Sequence, residues 1–185
     1  MTTKTITLIS RKDAVKELRR KNFNISSWAE DILKEVTLTD GIKYDIVIVK
    51  PDEIEGELTT KNIRNYAESK GYQTPPAEVG VLLRLALSDE EIEAMGLIWI
   101  VTMHEPINDS DGDPGLLDAD RGGGGRWLSA FSDRPANGWH RGDGFAFAVS
   151  QITLSSDTLS SFDTLPLDSA IKIVKDAGYK IIKVI

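Results

Sequence analysis

Four apolar segments after residue 96 alternate with turns rich in glycine and aspartate, and this alternation restricts the possible folds more than any other feature. The segments are LIWIVTMHEPI, GLLDADR, RWLSAFS and FAFAVSQITL, and they are separated by SDGD, GGGG and DRPANGWHRGDG. Asp-Gly, Asn-Gly and poly-Gly sequences favour tight turns between antiparallel strands. Residues 97–154 are therefore predicted to form a four-stranded antiparallel meander.

The N-terminal half is predicted to contain helices with one or two strands. Residues 4–9 alternate and are rich in β-branched side chains, and residues 43–51, KYDIVIVKP, are a β-branched run that a proline ends. PPAEVGVLL predicts a short helix, because proline is tolerated in a first turn. Periodicity leaves residues 82–87 open between helix and strand, since an apolar run is compatible with both.

Amphipathic segments predict three further helices in this half. The first covers residues 11–23. The predicted first residues of the other two are Ser26 or Ser27 and Thr59 or Thr60. Gly71 marks the end of the last of these helices. Trp28 and Ile32 lie one turn apart in the serine-capped helix, so both are expected in its buried face.

The chain is predicted to be one α+β domain that spans residues 1–185. Its 185 residues, 41% of them hydrophobic, suffice to bury a core. Residues 1–96 are expected to be mainly helical and residues 97–185 mainly β. At the end of the chain, LDSAIKIVKDAGYKIIKVI predicts a helix, a stop at Gly178 and a final strand. The oligomeric state does not follow from the sequence.

The negative charge is concentrated in the middle of the chain. Residues 51–120 carry 16 acidic and four basic side chains, whereas the segments on either side are slightly basic. Such a block repels phosphate backbones, which argues against nucleic-acid binding, and it attracts cations or a basic protein. A solvated surface explains the same charges without a partner.

Targeting and membrane signals are not found in the sequence. The first residues, MTTKTITLISRKDAV, lack the apolar core of a signal peptide, and no apolar run reaches the roughly 18 residues of a membrane span. The chain has no cysteine, which excludes disulfides and thiolate metal clusters. We therefore expect a cytoplasmic protein without a membrane partner.

The stretch HEPINDSDGD is the candidate metal site. His104, Glu105, Asp109, Asp111 and Asp113 supply imidazole and carboxylate groups, and calcium loops place oxygen ligands through similar alternating aspartates. The spacing does not match an EF-hand, and the HExxH motif of zinc hydrolases is absent. Aspartate, serine and glycine also dominate tight turns. We therefore predict no dedicated cofactor and leave open a weak site for Ca²⁺ or another divalent cation.

A second candidate site is a recognition edge formed by loops. Trp127 lies beside the poly-Gly turn, and Trp139 lies in the loop DRPANGWHRGDG. Indole rings near glycine-rich loops serve as anchors for protein partners and as platforms for sugars. Arg134, His140 and Arg141 complete the predicted edge. Rings that only cover the end of a sheet would give the same pattern.

A series of short motifs crosses roughly residues 59–150. PAEVGVLLRL is followed by MHEPI, SDG, a glycine-rich turn, RWL and FAF. This pattern resembles a family of small uncharacterised bacterial proteins. The resemblance implies a bacterial, cytoplasmic, single-domain protein, and it implies no activity.

The leading hypothesis is a non-enzymatic protein-interaction domain. An acidic chain suits an inhibitor-like or immunity-like role towards a basic partner, because complementary charge speeds association. The sequence contains no GxSxG elbow, P-loop or GxGxxG fingerprint, which argues against the common enzyme classes that use them. Two alternatives stay open. One is a metal-assisted hydrolase that uses residues 104–113, and the other is a carbohydrate-binding module that uses Trp127 and Trp139.

Overall fold

The computed structural model describes residues 4–134 and 138–149, together with the backbone of residues 151–153 and 180–182. The α-helices in this part of the chain are α1 (Ala14–Arg20), α2 (Ser27–Glu35), α3 (Thr60–Ser69), α4 (Glu78–Ala86) and α5 (Asp89–Ala94), and a 3-10 helix covers Pro51–Glu53. The strands are β1 (Lys4–Ile9), β2 (Asn24–Ile25), β3 (Lys43–Val49), β4 (Tyr72–Gln73), β5 (Trp99–Thr102), β6 (Ile107–Asn108), β7 (Pro114–Asp120), β8 (Trp127–Ser132), β9 (Asp143–Val149), β10 (Gln151–Thr153) and β11 (Lys180–Ile182).

Nine of the described strands join in one mixed sheet, and this sheet corrects the predicted fold. The strand order is β1-β3-β9-β5-β7-β8-β2, and the short strands β4 and β6 pair with β9 and β7. The predicted architecture, a four-stranded antiparallel meander preceded by N-terminal helices, is therefore wrong. Strands from the N-terminal half belong to the same sheet, and β9 pairs with β5 in parallel.

The position of β9 explains the error. β5, β7 and β8 do form an antiparallel meander, but β9 lies on the other side of β5 and pairs antiparallel with β3. Successive residues of β3 and of β9 are buried, so both faces of each strand are covered, as expected in the middle of a sheet. Turn signals indicate local hairpins only, and they carry no information about a pairing this distant in sequence.

The two faces of the sheet are covered by different helices. α1, α2 and α4 contribute to the core on one face, where Leu18, Ile32 and Leu83 are buried. α3 contributes to the core on the other face through Ile63 and Ala67. Because neighbouring residues of a strand point to opposite faces, β7 supplies side chains to both cores.

The predicted starts of α2 and α3 agree with the observed ones, whereas α1 begins at Ala14 and ends at Arg20 instead of covering residues 11–23. Ser26 is the N-cap of α2 and accepts a hydrogen bond from the N–H of Ala29, and Thr59 is the N-cap of α3. α4 continues to Ala86, which resolves most of the open segment 82–87 as helix. Cap residues are identified from the sequence because they satisfy backbone groups only two or three residues away.

The end of the chain is described in part. β11 is a strand, as predicted, and it pairs in parallel with β10. The helix predicted before it lies outside the described residues. Within the described ranges, none of the helices combines the length and the apolar character needed to cross a membrane.

Candidate functional site

A pocket of about 480 Å³ opens between α2 and the β8 side of the sheet. Its volume lies in the range of pockets that hold small molecules or the side chains of a partner. The residues that line it include Trp28, Ile32, Asp111, Gly115, Ala130 and Phe131.

Trp28 forms the most exposed wall of this pocket. It lies one helical turn before Ile32, so the two side chains share one side of α2. Ile32 is fully buried, and its Cδ1 atom lies so close to Gly115 that an added Cβ would be 2.7 Å away. Trp28 extends beyond this packed contact and is 58% exposed. The sequence-based expectation that Trp28 belongs to the core is therefore wrong.

Phe131 also borders the pocket and is 37% exposed, but strand alternation places its ring, like Leu116, on the opposite face of the sheet from Ile32 and Ala130. Its ring packs edge to face against Trp99 and Trp139, with centroids 6.0 and 5.8 Å apart. Trp139 packs in turn against Phe145 at 5.7 Å. We call these four rings the aromatic row. The row restrains the Phe131 ring on the face of the sheet that α3 covers, and not on the α2 face where Trp28 lies.

The acidic loop, residues 109–113, forms the rim of the pocket. Oδ1 of Asp109 accepts hydrogen bonds from the N–H groups of Asp111 and Asp113, both at 2.9 Å. Gly112 has a φ of +85°, and its N–H donates to the carbonyl of Asp109 at 3.1 Å. The aspartate and glycine residues of the loop therefore build a tight turn, for which their side chains and conformational range are suited.

Two contacts fix the acidic loop to the rest of the molecule. Ser110 Oγ donates to Asp31 on α2 at 2.6 Å, and Asp113 pairs with Arg134 at 3.0 Å. Hydrogen bonds from Lys34 and from Ser110 lower the pKa of Asp31 to about 2, so this carboxylate is charged at neutral pH. The rim is thus held from two directions before any ligand binds.

The rim carries more negative than positive charge. Four carboxylates, those of Asp31 and of the three aspartates in the acidic loop, lie with two cations, Lys34 and Arg134. Asp111 is exposed, and in the described part of the chain no cation or hydrogen-bond donor contacts its carboxylate. Asp111 is therefore the rim group that is free to pair with a positively charged ligand.

His104 is a buried residue with both ring nitrogens occupied. It is 1% exposed, and its Nε2 accepts the N–H of Leu117 at 3.0 Å. Because Nε2 accepts, Nδ1 carries the proton and donates to the carbonyl of Glu105 at 2.6 Å. Burial lowers the pKa of His104, which favours this neutral form. Leu117 lies on β7 between the segments that pair with β5 and with β6. The ring of His104 supplies the hydrogen-bond acceptor that neither strand provides for its N–H.

The predicted metal ligands do not form one group. His104 is buried under its own hydrogen bonds, whereas Glu105 is exposed and meets His104 through its backbone. Over residues 4–134 and 138–149, no cluster of three or more His, Asp or Glu side chains could hold a metal ion. The three aspartates of the acidic loop come together as a turn and as the rim of the pocket.

The charged residues of the predicted recognition edge have separate contacts. Arg134 pairs with the acidic loop, whereas Arg141 pairs with Asp52 at 2.8 Å. His140 is exposed, and its N–H donates to Asp143 at 2.7 Å. Of these three residues, Arg134 is the one that contacts the rim of the pocket.

The two tryptophans of that edge are partly buried. Trp139 belongs to the aromatic row, and its indole N–H donates to Thr60 Oγ1 at 2.9 Å. Trp127 lies on β8, opposite Asp120 on β7. Trp139 therefore packs on the opposite face of the sheet from Trp28 and does not line the pocket.

A buried carboxyl lies on the face of the aromatic row. Asp118 in β7 is fully buried, and neither of its carboxyl oxygens has a partner among the described residues. The strand register places Trp99 and Phe131 diagonally across from it on the same face. Burial raises the pKa of Asp118 well above its ordinary value, and the nearby Asp120 and Asp143 raise it further.

Sequence reasoning missed Trp28, Phe131 and Asp118 as residues of interest. The signal for Asp118 was present, because GLLDAD places an acid inside an apolar strand. Trp28 is the second residue of a capped helix, where a side chain can extend past the packed turns. The exposure of Phe131 depends on β8 lying near the edge of the sheet, which no local pattern contains.

Comparisons of the chain with family models, with curated proteins and with solved structures find no match. The functional argument therefore depends on the geometry and chemistry of the pocket itself.

Proposed function

We propose that this chain is a non-enzymatic interaction domain whose pocket binds an apolar, positively charged segment of a basic protein partner. The observation that carries the proposal is the combination of an exposed indole with an acidic rim around one pocket. Trp28, Ile32 and Ala130 supply the apolar walls, and Asp111 supplies an exposed carboxylate. A cysteine-free chain of this kind suits the cytoplasm, which is the compartment we propose.

The apolar walls provide most of the expected affinity. Large aromatic side chains are the residues whose removal most often costs about 2 kcal/mol or more of binding free energy. Trp28 is over half exposed, so a partner side chain that covers it removes a large apolar area from water. The pocket beside it accepts an aliphatic or aromatic side chain of the partner.

The acidic rim provides selectivity for charge. Four carboxylates against two cations leave the rim negative, so a lysine or arginine beside the anchoring side chain is attracted and an acidic residue is repelled. An exposed ion pair contributes only about 1 kcal/mol or less, and salt screens it. Charge therefore selects the partner and speeds association, whereas the apolar walls provide most of the affinity.

The pocket is organised in advance. The acidic loop is tied to α2 by Ser110 and to the residues after β8 by Arg134, and Ile32 is packed against Gly115. A site that is already ordered loses less conformational freedom when it binds. This prior order favours a binding role for the acidic loop over a role as a turn alone.

The rival functions receive less support from the geometry. A hydrolase based on residues 104–113 needs an available imidazole, and both nitrogens of His104 are engaged. A carbohydrate platform needs an open ring face, whereas Trp139 packs between Phe131 and Phe145. Neither arrangement offers the exposed anchor that Trp28 offers.

Calorimetric titration with two matched peptides tests the proposal. Acetyl-TKTLTKT-amide places two lysines and a leucine on one side of an extended chain, and acetyl-TETLTET-amide replaces the lysines with glutamates. We expect the lysine peptide alone to bind measurably. Asp111→Asn should weaken its binding about fivefold, and Trp28→Ala about 30-fold.

Trp127→Ala is the matched control, because Trp127 does not line the pocket. Its affinity for the lysine peptide should equal that of the unaltered protein, with folding of every variant checked by circular dichroism. Equal binding of both peptides would contradict the proposal, as would loss of binding in Trp127→Ala but not in Trp28→Ala.

A further inference from the structure

The outer edge of β8 has no paired strand beside the pocket among the described residues. β7 pairs with β8 over Trp127–Ser132, whereas β2 pairs with β8 only at Trp127 and Leu128. Beyond Leu128, no other described strand pairs with the outer edge of β8. A strand edge of this kind carries backbone groups that can pair with another chain.

The strand register shows which backbone groups point outward. Asp133 donates its N–H to the carbonyl of Pro114, which fixes the alternation of bonded pairs between β7 and β8. In that alternation Ala130 stands at a position not bonded to β7, so its N–H and C=O face the outer edge. Leu128 has the same phase, and its outward carbonyl accepts the N–H of Ser26 at 3.1 Å. Ala130 also lines the pocket.

We infer that the partner segment binds in an extended conformation and adds to the sheet as a further strand on β8. This inference rests on the proposed function, because it uses the same pocket and the same partner. The N–H and C=O of Ala130 pair with a carbonyl and an amide of the added strand. Main-chain pairing with pockets for alternate side chains is an established physical mode of peptide recognition.

The geometry connects this pairing to the two parts of the pocket. Alternate side chains of a strand point to the same side and lie about 6.6–6.8 Å apart. A side chain next to Ala130 lies on the face of the sheet that α2 covers and can therefore enter the pocket beside Trp28, and a lysine two residues away can reach the acidic loop. The apolar anchor and the positive charge of the partner are thus expected at alternate positions.

The β8 edge lacks the features that protect exposed strands. Residues 129–132 read SAFS and contain no charge and no proline. The opposite edge strand, β1, carries Lys4 and borders a pocket of about 330 Å³ that is lined in part by Arg11 and Lys21. A cationic segment is repelled there, so β1 serves as an internal control.

Nuclear magnetic resonance of the ¹⁵N-labelled full chain tests the inference with acetyl-TKTLTKT-amide as the probe. We expect saturating peptide to move the Ala130 amide proton downfield and to slow its exchange with solvent about tenfold or more, with no change in the amides of β1. Methylating the leucine amide nitrogen of the peptide should weaken binding about tenfold, because that change removes a strand donor. Methylation of an adjacent threonine amide, which points away from β8, is the matched control.

The outcomes separate this inference from the proposed function. If the Trp28 indole signal shifts while the Ala130 amide does not, and the two methylated peptides bind equally, strand addition is overturned and the pocket proposal stands. If the amides of β1 shift instead, strand addition on β8 is also overturned. If neither Trp28 nor Ala130 responds, both proposals fail.

Discussion

At the scale of single residues, the structure assigns opposite roles to similar sequence signals. Asp109 and Asp113 build and hold a turn, whereas Asp118 is fully buried without a partner among the described residues. His104 resembled a candidate ligand in sequence, but it substitutes for a backbone acceptor of Leu117. Residue type predicted which groups could do chemistry. It could not predict their partners, because these depend on how the strands pair. His104, for example, bonds to Leu117 in the gap between β5 and β6.

Asp118 makes the stability of the protein depend on pH. Its folded pKa is raised above the unfolded value, so the stabilising effect of its protonated form is complete below pH 4 and is lost as the pH rises through the folded pKa. Asp118→Asn cannot ionise and should be more stable than the unaltered protein at pH 8, by about 1–3 kcal/mol. Chemical denaturation at pH 3.5 and pH 8 measures this difference.

The exposed Asp111→Asn is the control for that experiment. It should change the free energy of unfolding little at either pH, because the Asp111 carboxylate has no partner among the described residues and is exposed to solvent. An Asp118→Asn variant whose stability difference from the unaltered protein is the same at both pH values would show that the pKa of Asp118 is the same in the folded and unfolded states, which would contradict this prediction.

At the scale of elements, local sequence predicted starts and ends better than neighbours. Ser26 and Thr59 were foreseen as caps because each bonds to an amide three residues ahead. Trp28 was predicted to be buried because helical periodicity identifies the apolar face of a helix. Periodicity does not show how far the sheet extends beneath that face. Trp28 is exposed beside the pocket, whereas Ile32, one turn later on the same side of α2, is buried.

The contact between α2 and β7 predicts a specific coupling. A Cβ at position 115 would lie 2.7 Å from Cδ1 of Ile32, so Gly115→Ala should destabilise the protein by about 1–3 kcal/mol. Ile32→Val removes that Cδ1 atom. The double variant should therefore be more stable than the sum of the two single effects predicts, as measured by chemical denaturation.

Gly138→Ala is the control, since no atom in the described part of the chain lies within 4 Å of a Cβ added at Gly138. Its free energy of unfolding should stay close to that of the unaltered protein. Strictly additive effects of Gly115→Ala and Ile32→Val would mean that the two side chains do not compete for the same space.

At the scale of the whole molecule, the sheet order is what the sequence could not predict. The locations of β3, β5, β7, β8 and β9 follow from runs of apolar and β-branched residues, and these strands are present. Their order depends on β9, which pairs with β5 on the side away from β7. Successive residues of β9 are buried on both faces, which favours a position in the middle of the sheet. That order leaves part of the β8 edge open, and the candidate site exists because of it.

The central claim is that the pocket between α2 and β8 selects apolar, positively charged segments. The most direct test is selection of a display library of random heptapeptides on the immobilised full chain, with the Trp28→Ala, Asp111→Lys double variant selected in parallel. We expect enrichment of sequences with a lysine or arginine two positions from a large apolar residue, and loss of that enrichment on the variant. Recovery of the same sequences from both proteins, or of sequences without this pattern from the unaltered chain, would contradict it.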